Sequence, residues 1–141
     1  MECSDRKGGR LMLHRTHRNG LSVDFMVPKM KKGKQIKFYD HLGLWHYLMN
    51  FDSFGRLKLN KKVAIDFETI GRHIIALDNA AKANDLFVSK VILKIDLKDD
   101  FFNTASGREI RRRGIYFARN LSKSVDRMHD DHYHVDFKVR E

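Results

Sequence analysis

Two segments of the chain alternate apolar and polar residues with the two-residue period of a strand that buries one face. In "LSVDFMV", residues 21–27, Leu21, Val23, Phe25 and Val27 share one face, and Ser22, Asp24 and Met26 share the other. In the closing stretch, Tyr133, Val135, Phe137 and Val139 lie on one face, with His132, His134, Asp136 and Lys138 opposite. "SKVILKIDL", residues 89–97, reads as a third strand buried on at least one face, with Lys94 and Asp96 on its less apolar side. Over about 66–83 the period changes to three and four, through Phe67, Ile70, Ile74, Leu77 and Ala81. Asp66 suits the N-cap and Glu68 the first turn of a helix there. A second helix is expected around 105–120, with Gly114 a weak point inside it. Residues 29–62 show no dominant period, and "DHLGLWHYLMNFD" fits a short helix or an aromatic loop equally well. Trp45, Tyr47 and Phe51 in that region are expected in the core, with a cleft wall as the alternative.

This mixture predicts an α+β fold: a single domain over residues 1–141, with a central, mostly antiparallel sheet flanked by helices and residues 1–10 as a flexible lead. No internal repeat or low-complexity linker divides the chain, and 141 residues suffice for a real core. A hydrophobic content of 42% with 10 Phe, 4 Tyr and 1 Trp argues against a disordered chain.

Charge and cysteine narrow the chemistry. The formal net charge is +10, with basic runs at 28–34, 58–62 and 111–113. Such a surface favours nucleic acid, anionic lipid or an acidic wall polymer, or is a basic surface with no dedicated partner. The runs carry little aromatic interleaving and no nucleic-acid module, so dedicated nucleic-acid binding is not expected. The longest apolar runs are too short to span a bilayer, so no transmembrane segment is expected. The start has no signal-peptide core, which points to the cytoplasm unless a leader or anchor precedes this sequence. Cys3 is the only cysteine, so a disulfide within the chain and a Cys-based zinc cage are both excluded. Cys3 reads as a stray thiol, or as the trace of a lipid-anchor site.

Candidate chemistry gathers at the two ends. "HDDHYHVDF", residues 129–137, sets His132 and His134 on one face of the closing strand. "HRTHRNGLSVDF", residues 14–25, offers His14, His17 and Asp24. If the two strands are neighbours in one sheet, the faces bearing these side chains converge. Two imidazoles and a carboxylate form a familiar hydrolytic zinc set, with the fourth position left for water. A lone His-x-His is weak evidence in a chain with eight histidines, and a pair of solvated edge strands competes with the metal site.

The two segments resemble the active-site motifs of penicillin-insensitive murein endopeptidases, zinc peptidases of the wider lysostaphin and D-Ala-D-Ala peptidase group. The family pattern is His-x-x-His-x-x-Gly-Leu-x-Val-Asp early and His-x-x-His-x-His late. His14, His17, Gly20, Leu21, Val23 and Asp24, then His129, His132 and His134, match every named position. The helix and strand between them fall where the family has them, so the resemblance spans nearly the whole chain.

It implies one zinc per chain on the sheet, held by His17, Asp24 and His134. It makes His132 the catalytic histidine, with His129 and His14 lining the site and either sharing the proton work. Asp131 stands where related peptidases carry a Glu, and reads as an orienting acid. Thr16 replaces a common Ser and keeps its hydroxyl, while Ser22 replaces an acid often found two residues before the Asp ligand. Well-known members are longer and carry disulfides, a departure that bears on the outer walls of the cleft more than on the zinc centre.

The implied activity is hydrolysis of D-Ala–diaminopimelate cross-links in peptidoglycan stem peptides. The alternatives are a D,D- or L,D-carboxypeptidase or phage-type endolysin of the same superfamily, and a non-catalytic basic polymer-binding module. An enzyme of this kind belongs in the periplasm or cell envelope, or waits in the cytoplasm as a lysin or delivered effector. Oligomeric state is not legible.

Overall fold

The computed structural model describes residues 20–37 and 49–140. The expectations for residues 1–10, Cys3, His14, Thr16, His17, Trp45 and Tyr47 fall outside the described residues. The described strands are β1 (Ser22–Met26), β2 (Lys29–Lys31), β3 (Lys34–Ile36), β4 (Arg56–Leu57), β5 (Asn60–Ile65), β6 (Leu86–Ile92) and β7 (His132–Val139). The helices are α1 (Phe67–Lys82), α2 (Lys98–Phe102), α3 (Ala105–Arg112) and α4 (Lys123–Met128).

The α+β class is as expected, but the strands form two antiparallel sheets rather than one central sheet. One has the order β1-β7-β6, the other β3-β2-β5-β4. The second arises from residues 29–65, most of which fall in the stretch 29–62 that shows no dominant period. Its hairpin turns at Lys32 and Gly33, both with positive φ (51° and 72°), the combination that a two-residue turn of matching twist needs. These strands are only two to six residues long, too short for a period to emerge.

The helix expected at 66–83 is α1. Asp66 caps it by accepting from the Thr69 backbone N–H at 3.0 Å. Its buried stripe, Ile70, Ile74 and Ala81, packs toward β6 and α3, with Phe67 and Leu77 partly buried at its margin. The core also takes Val27, Phe51, Leu57, Val63 and Ile65 from the second sheet and its flanks, and Val91, Tyr133 and Val135 from the first. Phe51, 1% exposed, is therefore core, as expected. Among the described residues, no helix is long and apolar enough to cross a membrane.

Two expected elements are shorter. The strand read at 89–97 is β6, ending at Ile92, and Ile95–Leu97 form a 3-10 turn, so Lys94 and Asp96 are not on a strand. The helix expected at 105–120 stops at Arg112, and Gly114 turns the chain with φ +71°. The following residues run beside β6 instead: Val91 N donates to Tyr116 O and Ala118 N to Val91 O. Apolar Ile115 and Phe117 thereby pack against the core, which an exposed helix end would not allow.

Helices α1 and α3 meet through a residue with no side chain. A Cβ on Gly71 would lie 2.1 Å from Ser106 Oγ, and Ser106 is held by Glu68 through three hydrogen bonds of 3.0–3.1 Å. Alanine favours a helix by about 1 kcal/mol over glycine. Gly71→Ala should nevertheless destabilise the protein, by roughly 1–3 kcal/mol, because the helices must separate. A higher midpoint in chemical denaturation would refute this packing.

Candidate functional site

The two end segments are neighbours in one sheet, the condition under which their polar faces converge. Strand β1 pairs antiparallel with the central strand β7, in a register that sets Ser22 opposite Asp136, Asp24 opposite His134 and Met26 opposite His132. On the other face of the same strands, Val23 faces Val135 and Phe25 faces Tyr133. The histidine face is also buried: Ser22, Asp24, His132 and His134 are each at most 8% exposed, and the neighbouring His129 and Asp131 are buried with them. Polar groups withdrawn this far from water need partners, and the described ones have them.

His134 lies between two carboxylates. Its Nδ1 is 2.6 Å from Asp24 Oδ1 and its Nε2 is 2.7 Å from Asp136 Oδ1. Burial by itself would lower the imidazole's pKa, but the hydrogen bonds and charges of Asp136 and Asp24 overcome it and raise the value to about 9. Asp136 is in turn fixed by Ser22 Oγ, which donates to Oδ1 at 2.6 Å, and by Lys90 Nζ, 2.8 Å from Oδ2. Burial opposes ionisation of Asp136, yet its partners His134, Lys90 and Ser22 hold its pKa far below the ordinary carboxylate range. Ser22, noted in the sequence for standing where an acid is common, here serves as the donor that a neighbouring carboxylate requires. A second acid in its place would repel Asp136.

The other two histidines have defined tautomers. A carbonyl can only accept, so His129 Nδ1, 2.7 Å from Val125 O, carries the hydrogen and leaves Nε2 with its lone pair. Burial lowers its pKa, so His129 is neutral at pH 7. His132 Nδ1 lies 2.7 Å from Asp131 Oδ1, an imidazole–carboxylate pair that likewise leaves Nε2 with its lone pair. Asp131 is thus placed to orient His132. The His129 ring centre lies 4.7 Å from that of His132 and 6.4 Å from that of His134. Beside them Asp130 accepts from Lys94 Nζ, so Lys94 borders the site from the end of β6.

The described part of the expected set therefore assembles: Asp24, His134, His132, His129 and Asp131 are brought together, while His14 and His17 lie outside the described residues. Sequence reading set Asp136 on the histidine face but assigned it no role, and it overlooked Lys90 and His73. The alternation of β7 already carried the signal for Asp136, at i+2 from His134. Lys90 depends on the partner strand's register, which periodicity does not supply. His73 lies on the reverse face, where its Nδ1 is 2.6 Å from the Tyr133 hydroxyl and its ring meets Phe25 edge-on at 4.6 Å. It ties α1 to the residue between the two β7 histidines.

The donor types fit a divalent metal, although among the described residues no group of three or more such side chains that could hold one is found. Asp24 and His134 Nδ1 provide two donors at adjacent cross-strand positions. Asp136 holds the opposite ring nitrogen, as a carboxylate commonly does behind a ligating histidine. A third donor would have to come from elsewhere, and His17 precedes Gly20 and β1 by only a few residues.

With no metal added, the His134 ring should titrate near pH 9, and His129 below its ordinary 6.5, in histidine-resolved NMR. Because the folded value of His134 is raised, its contribution to stability is complete below pH 6.5 and disappears as pH rises through 9. Asp136→Asn should move the His134 midpoint downward. An unchanged midpoint would refute the Asp136 contact.

Comparison with family models, with curated proteins and with solved structures returned no match in any of the three.

Proposed function

We propose that the chain is a zinc-dependent peptidase acting on the cross-linked stem peptides of peptidoglycan, most simply an endopeptidase. The observation that carries this reading is the apposition of Asp24 and His134 across the β1–β7 pair, with His129 and His132 beside them. The substrate class comes from the motif resemblance, and the net charge of +10 is compatible with an anionic wall polymer. In this reading Asp24, His134 and His17 hold the metal. Zinc, when bound, supplies activation of a water and polarisation of the scissile carbonyl.

The chain's own residues do the rest. Asp131 holds the His132 Nδ1–H, so Nε2 is the nitrogen that accepts a proton from the attacking water and later returns it to the leaving amine. His129, neutral and with Nε2 free of its own backbone bond, shares that proton or steadies developing negative charge when protonated. Asp136, Ser22 and Lys90 keep His134 from rotating. A carboxypeptidase with the same centre would use the same steps on a terminal residue. A non-catalytic polymer-binding role draws on the basic surface but leaves the buried histidines unused.

Three outcomes follow. Purified protein should bind about one zinc per chain, and His134→Ala should lose it; full retention would overturn the ligand assignment. At pH 7 His134 is protonated in the metal-free chain, so zinc uptake should release about one proton, and affinity should rise with pH up to about 9. Calorimetry in buffers of different ionisation enthalpy measures this. Digestion of purified cross-linked muropeptides should yield monomers by mass spectrometry, and His132→Ala should slow it by roughly 10²–10⁴-fold with zinc retained. Loss of a terminal D-Ala alone would make the protein a carboxypeptidase. No product at all would leave the binding-module reading in its place.

A further inference from the structure

The triple arginine at 111–113 does not act as one basic patch. Arg112 and Arg113 are both paired with Glu109, at 2.8 and 2.7 Å, and Arg113 also reaches the buried Asp78 at 3.2 Å. Arg111 turns the other way, its guanidinium 4.5 Å from the centre of the Phe102 ring. There it enters the wall of a cavity of about 560 Å³ between α2, α3 and the segment after Gly114. That cavity also presents Lys98 and Arg119; Asp99 is the carboxylate in its lining, and Asp126, which accepts from Ile95 N at 2.8 Å, acts on Lys98 from its edge. Among the described residues neither Arg111 nor Arg119 is in an ion pair, and both are exposed. Lys98 donates to the Ala118 carbonyl, which holds its ammonium at the wall.

The remaining lining is apolar: Ile95, Phe102, Ile115 and Phe117, with Tyr116 half exposed. Three cations against Asp99 and Asp126 leave a positive excess that favours an anion, and a guanidinium fork suits an oxyanion group held by two parallel bonds. Aromatic and aliphatic walls favour a ligand whose charge is attached to an apolar group, and the volume lies in the range of small-ligand sites. Tyr116 also lines a neighbouring cavity of about 430 Å³ formed with Ser22, Lys90 and Asp136. The basic cavity thus adjoins the groups that fix His134.

We infer that this cavity is a binding site for a carboxylate attached to an apolar group, with Arg111 and Arg119 holding the carboxylate and Phe102 and Tyr116 flanking its apolar part. The inference goes beyond the peptidase reading and needs neither zinc nor turnover. Under that reading, the cavity would hold a part of the substrate remote from the scissile bond.

The test is an NMR titration of the full chain at physiological salt with N-acetylphenylalanine, its uncharged amide, and inorganic phosphate. The acid should saturate, shifting the amides of Gly114, Ile115, Tyr116 and Phe117, while the amide binds at least tenfold more weakly and phosphate does not saturate there. The double variant Arg111→Gln, Arg119→Gln should weaken the acid at least tenfold with amide dispersion otherwise unchanged; Arg119→Gln alone should give a smaller loss in the same direction. Absence of saturation by the acid overturns the proposal, as do equal binding of the amide, saturation by phosphate at these amides, and indifference to both variants. Because no outcome is read from catalysis, failure here is separate from failure of the peptidase reading.

Discussion

The candidate active site depends on the pairing of β1 with β7 in one particular register. Side chains alternate faces along a strand, so a slip of one residue would carry Asp24 to the core side and bring Val23 or Phe25 opposite His134. The register is held from both faces. On the core side Phe25 stacks on Tyr133 with ring centres 5.6 Å apart, and Tyr133 is tied to His73 of α1. On the other, Asp24 meets His134 and Ser22 meets Asp136. The same alternation that builds the core thereby delivers the polar set.

Burying so many polar groups on one sheet face is costly unless each is paired. The described site meets that demand with a chain of contacts rather than isolated pairs: Asp24 to His134, His134 to Asp136, and Asp136 to both Ser22 and Lys90. A histidine between two carboxylates is a site made for positive charge, which either a proton or a metal can supply. That is the physical link between the raised pKa of His134 and the proposed zinc. His129 and His132 differ from it because their Nδ1 atoms are occupied by a backbone carbonyl and by Asp131, which leaves each only Nε2 for chemistry.

The basic charge, by contrast, is not a single feature. Part of it forms the β2–β3 hairpin, part is consumed by Glu109 and Asp78, and part lines the cavity beside Tyr116. Gly114 brings about the last arrangement. By ending α3 it lets Ile115–Ala118 run along β6, which closes one side of that cavity and places Tyr116 between it and the sheet.

What the sequence determined by itself was whatever depends on short-range periodicity. The faces of β1 and β7, the extent and cap of α1, and the candidacy of Asp24, His132 and His134 follow from residue spacing, while His129 entered only through the motif resemblance. Residue spacing also put Asp136 on the histidine face without revealing its role. Strands of two or three residues, the stop of α3 at Arg112 and the end of β6 at Ile92 were not legible, because their boundaries are set by what packs against them. Only the tertiary structure decided that β1 and β7 are neighbours, that Lys90 and Ser22 converge on Asp136, and that His73 reaches Tyr133. These are contacts between residues 46 to 114 positions apart, and no local pattern encodes which distant strand or helix completes them.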